Sequence, residues 1–176
     1  MSSSISRGVL LDTDDQPGLQ RQRVFGLYGE EMDKVQNWQP FGLTAVCPPG
    51  GDVVMLSIGG TRDGAQVLSA THPAYRQKDT GIGETVLYDA GGQTVKLTTA
   101  GITITDQWGN IVSMADGKVT ITAAADYTVN AGGTITLAAS DVKIESGSLT
   151  HNGTNVGDDH KHSGVSSGPS TTGNPV

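Results

Sequence analysis

The feature that most limits the fold of this chain is a series of paired apolar residues in its second half. After Thr80 the 176-residue sequence breaks into short Thr- and Val-rich pieces, and the starts of successive pairs are separated by 7, 10, 7, 8, 8 and 7 residues. Because side chains alternate across a strand, both members of a pair lie on one face. The pattern predicts an array of short half-buried strands separated by turns. The pairs are Val95/Leu97, Ile102/Ile104, Val112/Met114, Val119/Ile121, Tyr127/Val129, Ile135/Leu137 and Val142/Ile144.

A strand with two apolar side chains cannot stabilise itself. Ordering its backbone costs about 1–2 kcal/mol per residue, so the repeats must stack on one another. Their backbone N–H and C=O groups must also be paired, which requires the array to close. One chain could close it as a left- or right-handed β-helix with about three repeats per coil. Alternatively, three identical chains could wind around one axis and share the apolar pairs; the pattern is compatible with both arrangements.

The first 80 residues have a different composition. Both phenylalanines, one of the two tryptophans and five of the seven prolines lie between residues 7 and 75. Five short runs of strand character alternate with stretches rich in Gly and Pro, which predicts a small barrel of the oligonucleotide/oligosaccharide-binding (OB) type. The runs cover residues 5–11, 21–28, 43–46, 53–58 and 66–69. The whole chain is therefore predicted to be all-β.

Composition and charge exclude several classes of protein. The net charge of −7, with no cluster of Lys and Arg, argues against binding to nucleic acid or to an anionic membrane surface. The single cysteine, Cys47, cannot form an internal disulfide and is expected to be a small buried hydrophobe. No stretch approaches the ~20 apolar residues that span a bilayer, and the Ser-rich start at residues 1–7 does not predict export by the general secretory route.

No catalytic constellation is recognisable, so the chain is predicted not to be an enzyme. The acidic pairs Glu30/Glu31 and Asp158/Asp159 are adjacent and face opposite ways in an extended chain, so neither can flank a glycosidic bond. Residues 12–15 lack the spacing of a calcium loop, and no nucleophile elbow, phosphate loop or Cys-x-x-Cys motif is present.

Two histidines at the end of the array are the candidate metal ligands. His160 and His162 have strand spacing, so both imidazoles lie on one face in an extended chain. Two imidazoles are a weak site, and a solvated terminus is the alternative. Three chains meeting on an axis would supply six, which suits Fe(II), or Ni(II) and Co(II), better than tetrahedral Zn(II). His151 is expected to be a surface or turn residue and His72 a loop residue.

Several segments resemble a known family. Residues 13–30, with QRQRVFGLYGE at 20–30, FGLTAV at 41–46 and DVVMLSIGGTRD at 52–63 are similar to the N-terminal barrel of the Mu-type phage baseplate assembly protein V family, the central tail spikes. DDHKHSG at 158–164 resembles the tip of that family. The order of barrel, strand array and His-x-His covers essentially the whole chain and is more specific than any single motif.

The resemblance implies a homotrimer. Residues 1–80 would form an OB-like barrel seated on the tail hub or tube, residues 81–150 a triple-stranded β-helix shaft, and residues 151–176 the tip. Tail contraction would drive the spike through the host outer membrane, and the virion would carry it at the baseplate tip after assembly in the host cytoplasm. In the family one iron ion is held at the tip by two histidines of each chain, which implies His160 and His162 here. Some members also hold calcium and chloride, for which no motif assigns ligands.

A second function is compatible with the repeat array. The chain could be a β-helical adhesin or tailspike that binds or processes host glycans. This function requires an exposed aromatic groove with a pair of carboxylates. The aromatic candidates in the array are Tyr88, Trp108 and Tyr127.

Overall fold

A computed structural model describes the chain apart from residues 1–3, 159, 162, 165–167 and 169–176. The described residues are almost entirely strands and irregular segments, which confirms the all-β prediction. Their helical content is confined to single turns of 3-10 helix at Leu27–Gly29, Ile58–Gly60 and Arg62–Gly64. No helix within this part of the chain is long and apolar enough to cross a membrane. Two compact units are distinguished, Met1–Thr128 and Val129–Val176.

The N-terminal part of the first unit is a closed five-stranded barrel. Its strands occur in the order β1-β2-β3-β5-β4, and β1 closes the barrel by pairing with β4. All pairings are antiparallel except that of β3 with β5. The strands are β1 (Ser4–Asp14), β2 (Arg21–Phe25), β3 (Glu31–Asn37), β4 (Asp52–Ser57) and β5 (Ala65–Thr71). Each strand thus pairs with two neighbours, as the predicted barrel requires, and the β3–β5 junction consists of the pairs Gln36/Gln66 and Asn37/Val67.

The barrel interior is narrow and well packed. Its core consists of six side chains that are at most 5% exposed: Leu10, Val24, Val35, Val53, Met55 and Val67. Gly8 of β1 lies against this core, where an added Cβ would lie 2.7 Å from Val24 Cγ1 and 2.8 Å from the carbonyl oxygen of Phe25. A side chain at position 8 would therefore push β1 and β2 apart.

One barrel strand was predicted in the wrong place. Residues 43–46 are irregular, and the third strand is β3, Glu31–Asn37. Lys34 has φ +58°, and the β2–β3 register slips between Gln22 and Val24, which is the signature of a bulge. The bulge puts Val35 and Met32 on the core side although they are three positions apart. The strand therefore lacks the two-residue period by which sequence patterns identify strands.

The same unit continues into an antiparallel sheet. Strands β6 (Thr85–Tyr88), β7 (Thr94–Thr98), β8 (Gly101–Thr105), β9 (Ile111–Ala115) and β10 (Lys118–Thr122) pair with their sequence neighbours as a meander. The predicted strands around the first four apolar pairs are confirmed. Longer loops join β6 to β7 and β8 to β9, and both have the pattern Asp-x-x-Gly followed by Gln or Asn, seventeen residues apart. A two-strand hairpin is therefore repeated in this sheet.

The remaining repeats do not form strands within the chain. Residues 123–149 are described throughout, and they join no ladder with another segment. Three predicted strands, around residues 127–129, 135–137 and 142–144, are therefore not formed in the described part of the chain. Together with the antiparallel meander before them, this is not the β-helix that a single chain would close on its own.

A short hairpin follows in the second unit. Strand β11 (Thr150–His151) pairs with β12 (Thr154–Asn155). The connecting residues Asn152 and Gly153 have φ +48° and +78°, the left-handed values that a two-residue type I′ turn needs at both positions. The N–H of Val156 donates to the carbonyl of Leu149 at 2.8 Å and extends the pairing by one step.

Candidate functional site

The five-stranded sheet has one continuous apolar surface, which we call the apolar face. Directly opposed residues of antiparallel strands share a face, and the register aligns the four predicted pairs of β7 to β10 in two rows, the first of which Leu87 of β6 extends. The first row contains Leu87, Val95, Ile104, Val112 and Ile121, and the second contains Leu97, Ile102, Met114 and Val119. The alternate positions between members of a pair, such as Lys96, Thr103 and Ser113, lie on the opposite and polar side.

This apolar face is open to solvent. Seven of its nine side chains are exposed, from 37% for Ile102 to 69% for Val119, and the other two, Val95 and Val112, are half-buried. Contiguous exposed apolar surface of this kind marks an interaction site. The amphipathic character of the sheet thus requires a partner for its apolar side.

The irregular segment after β10 is exposed in the same way. Its predicted core residues are 49–72% exposed: Val129, Ile135, Leu137, Val142 and Ile144. Neither their side chains nor the backbone around them is organised by pairing within the described chain. The sheet and this segment therefore share one property: their regularly spaced apolar side chains are exposed to solvent instead of being packed in a core.

A groove of about 710 Å³ crosses the first row of the apolar face at the edge that carries the longer loops. Tyr88 and Tyr127 line it together with three carboxylates, Asp89, Asp106 and Asp126. This combination of aromatic and acidic side chains is what the glycan-binding alternative requires. Trp108, the third aromatic candidate, is exposed but does not line the groove.

Two of these carboxylates close their own loops. Asp106 accepts hydrogen bonds from the side-chain amide of Asn110 at 2.6 Å and from the backbone N–H groups of Asn110 and Trp108 at 2.9 Å. These bonds, the one from the Asn110 side chain above all, lower the pKa of Asp106. Asp89 accepts equivalent bonds from the backbone and side chain of Gln93, at 2.8 and 3.0 Å. A general acid requires a raised pKa, so Asp106 is suited to loop closure and not to proton donation.

The loop after the hairpin positions His160, one of the two predicted metal ligands. The N–H of Gly157 donates to Asn155 Oδ1 at 2.8 Å, and the carbonyl of Gly157 lies 2.6 Å from His160 Nδ1 and accepts from the His160 backbone N–H at 3.2 Å. Because a carbonyl only accepts, the hydrogen of this contact is on Nδ1. This carbonyl contact is the support that metal-ligating imidazoles generally receive. The exposed ring of His160 therefore fits the role of a metal ligand.

The other predicted ligand, His162, lies outside the described residues, so the pair is not seen together. Within the described part of the chain, no three or more His, Cys, Asp or Glu side chains are grouped so that they could hold a metal ion. His151 is an exposed residue of β11, and His72 follows β5 with Nε2 3.2 Å from the carbonyl of Pro49. Both positions agree with the surface and loop positions expected for them.

The contacts that position His160 could be predicted only in part from the sequence. Asn152-Gly153 between short polar segments is a strong hairpin signal, and it fixes where the loop to His160 begins. The carbonyl that holds the ring comes from Gly157, which has no distinguishing side chain and therefore leaves no signal in the sequence.

The other residues considered above have structural contacts. Arg62 Nε lies 2.8 Å from Glu30 Oε1, and an Arg62 NH group donates to the carbonyl of Glu31 at 2.6 Å. The acidic pair thus joins two barrel loops. Cys47 is half-buried against the barrel core, less than expected, and this burial raises the pKa of its thiol.

Comparison with known protein families gives a match over the barrel. Residues 7–74 match the family model described as Bacteriophage Mu Gp45, N-terminal. The matched segment begins in β1 and ends just after β5, so it contains nearly the whole barrel and none of the sheet. The chain matches no curated protein.

Proposed function

We propose a function from one premise: the barrel of this chain belongs to the Bacteriophage Mu Gp45 N-terminal family. The family predicted from the residues is thereby confirmed, and the chain has a structural role in a phage tail baseplate, in contact with other tail components. Within that role, the proposed function is the central spike, a homotrimer that pierces the host outer membrane when the tail contracts. The barrels would seat the spike on the hub or tube.

The observation that carries this proposal is the apolar face. Fully burying an aliphatic side chain stabilises a protein by about 1.5–3 kcal/mol relative to leaving it exposed, and nine such side chains lie on one face of the sheet. Three sheets facing one axis would cover one another and form a shared core. A closed arrangement of identical chains also limits association to a fixed number, whereas an open apolar face would aggregate.

The segment after β10 supports intertwining of the three chains. Its residues have the strand period but pair with no strand in the described part of their own chain. Segments from two neighbouring chains would supply the missing main-chain hydrogen bonds and bury the exposed pairs such as Ile135/Leu137. A β-structure closed in this way opens only when many main-chain bonds break together, and this is the mechanical property that a piercing device needs.

The tip would be held together by metal. His160 and His162 of each chain would provide six imidazole ligands, a set that favours Fe(II) over tetrahedral Zn(II). When bound, one iron ion per trimer would cross-link the three chain ends, with six nitrogens leaving no position for a substrate. The Gly157 carbonyl would keep the His160 ring in the tautomer that presents Nε2. No ligands are proposed for calcium or chloride.

Light scattering with metal analysis on the same chromatographic peak tests the proposal. We expect three times the mass of one chain and one iron ion per three chains. The double variant His160→Ala/His162→Ala should remain trimeric and lose the iron, whereas His151→Ala, as the matched control, should retain it. A monomeric mass would refute the spike. A trimer without a stoichiometric transition metal would refute only the metal site.

The groove at Tyr88 and Tyr127 favours glycan binding as the second candidate function. Isothermal titration with oligosaccharides from host lipopolysaccharide distinguishes it from the spike. A saturable signal that Tyr127→Ala abolishes would support a glycan-binding protein. The spike predicts no such signal, because its groove would be covered by neighbouring chains.

A further inference from the structure

Two polar side-chain atoms of the barrel are buried without a hydrogen-bond partner among the described residues. They are the hydroxyl oxygen of Thr13 and the carbonyl oxygen, Oε1, of Gln22. The whole Gln22 side chain is enclosed, and the residue is 1% exposed. Buried polar groups in proteins are almost always paired, either within the chain or with a bound water molecule or ion, because leaving them unpaired is destabilising. Two such atoms in one place therefore indicate a bound molecule.

The two residues lie opposite each other on neighbouring strands. Thr13 of β1 is the direct partner of Gln22 in β2, and opposed residues of antiparallel strands share a face. That face is the barrel interior, since Gln22 and Val24 are the buried positions of β2. The register shift between Leu10 and Asp12 inserts one residue into β1, so that Thr13 follows the buried Leu10 on the same side. Both unpaired oxygens thus belong to one polar site inside the barrel.

The direction of the Gln22 carbonyl is fixed by a series of hydrogen bonds. A carboxylate only accepts, so the 2.7 Å contact of Gln20 with Asp15 Oδ1 identifies the donating nitrogen of the Gln20 amide. Gln20 Oε1 is therefore an acceptor, and it receives the side-chain N–H groups of Asn37 at 2.7 Å and of Gln22 at 3.4 Å. Turning the Gln22 amide over would place two acceptor oxygens against each other. The unpaired oxygen of Gln22 consequently faces away from Gln20.

We propose that one buried water molecule binds in this site and bridges Thr13 to Gln22. The Thr13 hydroxyl would donate to the water oxygen, and the water would donate to Gln22 Oε1, so both unpaired oxygens would be satisfied. The two side chains are not hydrogen-bonded to each other directly. Two neutral oxygens are a poor ligand set for Ca²⁺ or Mg²⁺, which take about six to eight oxygen ligands. They match a water molecule, which needs about two to four polar partners.

The water would complete a polar cluster that connects two loops. The Gln20 amide nitrogen also donates to the carbonyl of Ala45 at 3.3 Å, and Gln39 donates to Gln20 Oε1 at 3.3 Å. Gln39 in turn pairs with both backbone groups of Ala45. The loop before β2 and the loop between β3 and β4 are thereby joined through Gln20. A buried polar network of this kind fixes one arrangement when all its members are satisfied. The inference concerns the barrel alone and does not depend on the proposed trimer.

Thr13→Val tests the bridge, because valine has nearly the shape of threonine but no hydroxyl. With the water bound, the substitution removes one of its two anchors, and the barrel should melt several degrees below wild type. If the hydroxyl is simply unpaired, its removal should leave the melting temperature unchanged or raise it, which would overturn the proposal. Thr71→Val is the matched control at an exposed position of β5, and it should melt like wild type.

Crystals of the full chain identify the bound molecule. In wild type we expect one peak of electron density about 2.5–3.0 Å from both Thr13 Oγ1 and Gln22 Oε1. Density that shows no such peak would overturn the proposal whatever the melting temperatures are. Crystals grown with Rb⁺ in place of Na⁺ distinguish water from a cation: a peak without anomalous signal supports the water, and an anomalous signal at this position would show a cation site and overturn it.

Discussion

The barrel and the sheet are both built of five strands, yet they solve the burial problem in opposite ways. The barrel encloses six core side chains that are at most 5% exposed, whereas no hydrophobic side chain of the sheet reaches full burial among the described residues. The difference lies in closure. Pairing of β1 with β4 folds one apolar surface onto itself, while the meander leaves its surface flat and open. The barrel buries its own core, whereas the apolar side of the sheet is left uncovered by the described part of the chain.

A charge on the apolar face gives the largest expected effect and the most direct test of this comparison. Ile104 lies in the first row between Val95 and Val112. In Ile104→Asp, three carboxylates would enter the proposed shared core, each with a desolvation penalty of several kcal/mol. We expect the trimer to dissociate to monomers by light scattering, while the barrel retains its own thermal transition.

The neighbouring residue provides the matched control. Thr103 lies on the same strand but on the polar side, opposite Ser113. Thr103→Asp should therefore remain trimeric. If both variants stayed trimeric, the apolar face would not be the contact surface. If both dissociated, the effect would come from charge in β8 and not from the face it occupies.

A substitution inside the barrel gives the second largest effect. It tests whether the barrel core is stabilised independently of the sheet. Leu10 is fully buried, so Leu10→Ala should lower the free energy of unfolding of the barrel by about 2–5 kcal/mol in denaturant titrations. Ile5 lies on the same strand and is largely exposed, so Ile5→Ala should change the free energy of unfolding by less than about 0.5 kcal/mol. The proposed trimer should persist in both variants, because Leu10 and Ile5 belong to the barrel and not to the apolar face of the sheet. Loss of the trimer in Leu10→Ala would show that the barrel also maintains the contact between copies.

The sequence predicted the strands correctly where the apolar pattern follows directly from strand geometry. The apolar pairs in β7 to β10 lie on one face because the two-residue period is a property of any strand. The third barrel strand was missed because the bulge at Lys34 destroys that period, and residues 43–46 were misassigned because an apolar run also occurs in an exposed loop. Whether the later pairs form strands depends on hydrogen-bond partners, which no pattern within one chain specifies.

The contacts of the candidate metal ligands and of the barrel loops could likewise be predicted only in part from the sequence. His160 and His162 stay predicted metal ligands, chosen from residue type and spacing, whereas the carbonyl of Gly157 that contacts the His160 ring depends on how the loop folds. Gln39, whose side-chain amide pairs with both backbone groups of Ala45 in the loop between β3 and β4, was equally unpredictable, because a glutamine next to a proline has no distinguishing sequence signal. Its amide becomes a strand substitute only when Ala45 is brought opposite to it.

The smallest effect concerns the loops at the edge of the sheet and their dependence on pH. Hydrogen bonds from Asn110 and neighbouring N–H groups lower the pKa of Asp106 in the folded protein. A group with a lowered folded pKa stabilises the fold fully above its unfolded pKa of about 4, and this contribution is lost as the pH falls through the folded value. Asp106→Asn should therefore melt slightly below wild type at neutral pH, by no more than a few degrees, and the gap should close in acid.

Asp116 provides the control for the Asp106 experiment, because it lies in the turn between β9 and β10 with φ +51°, a conformation that asparagine also tolerates. Asp116→Asn, measured in the same melting series, shows the effect of removing one negative charge from a turn of the same sheet. If the two variants behaved alike across the range, the carboxylate of Asp106 would contribute nothing beyond its amide isostere. The loop would then be held by the Asn110 bond to the Ala124 N–H, at 2.9 Å, and by the strands themselves. Closure of this edge would in that case depend on the backbone after β10, a segment that pairs with no strand among the described residues.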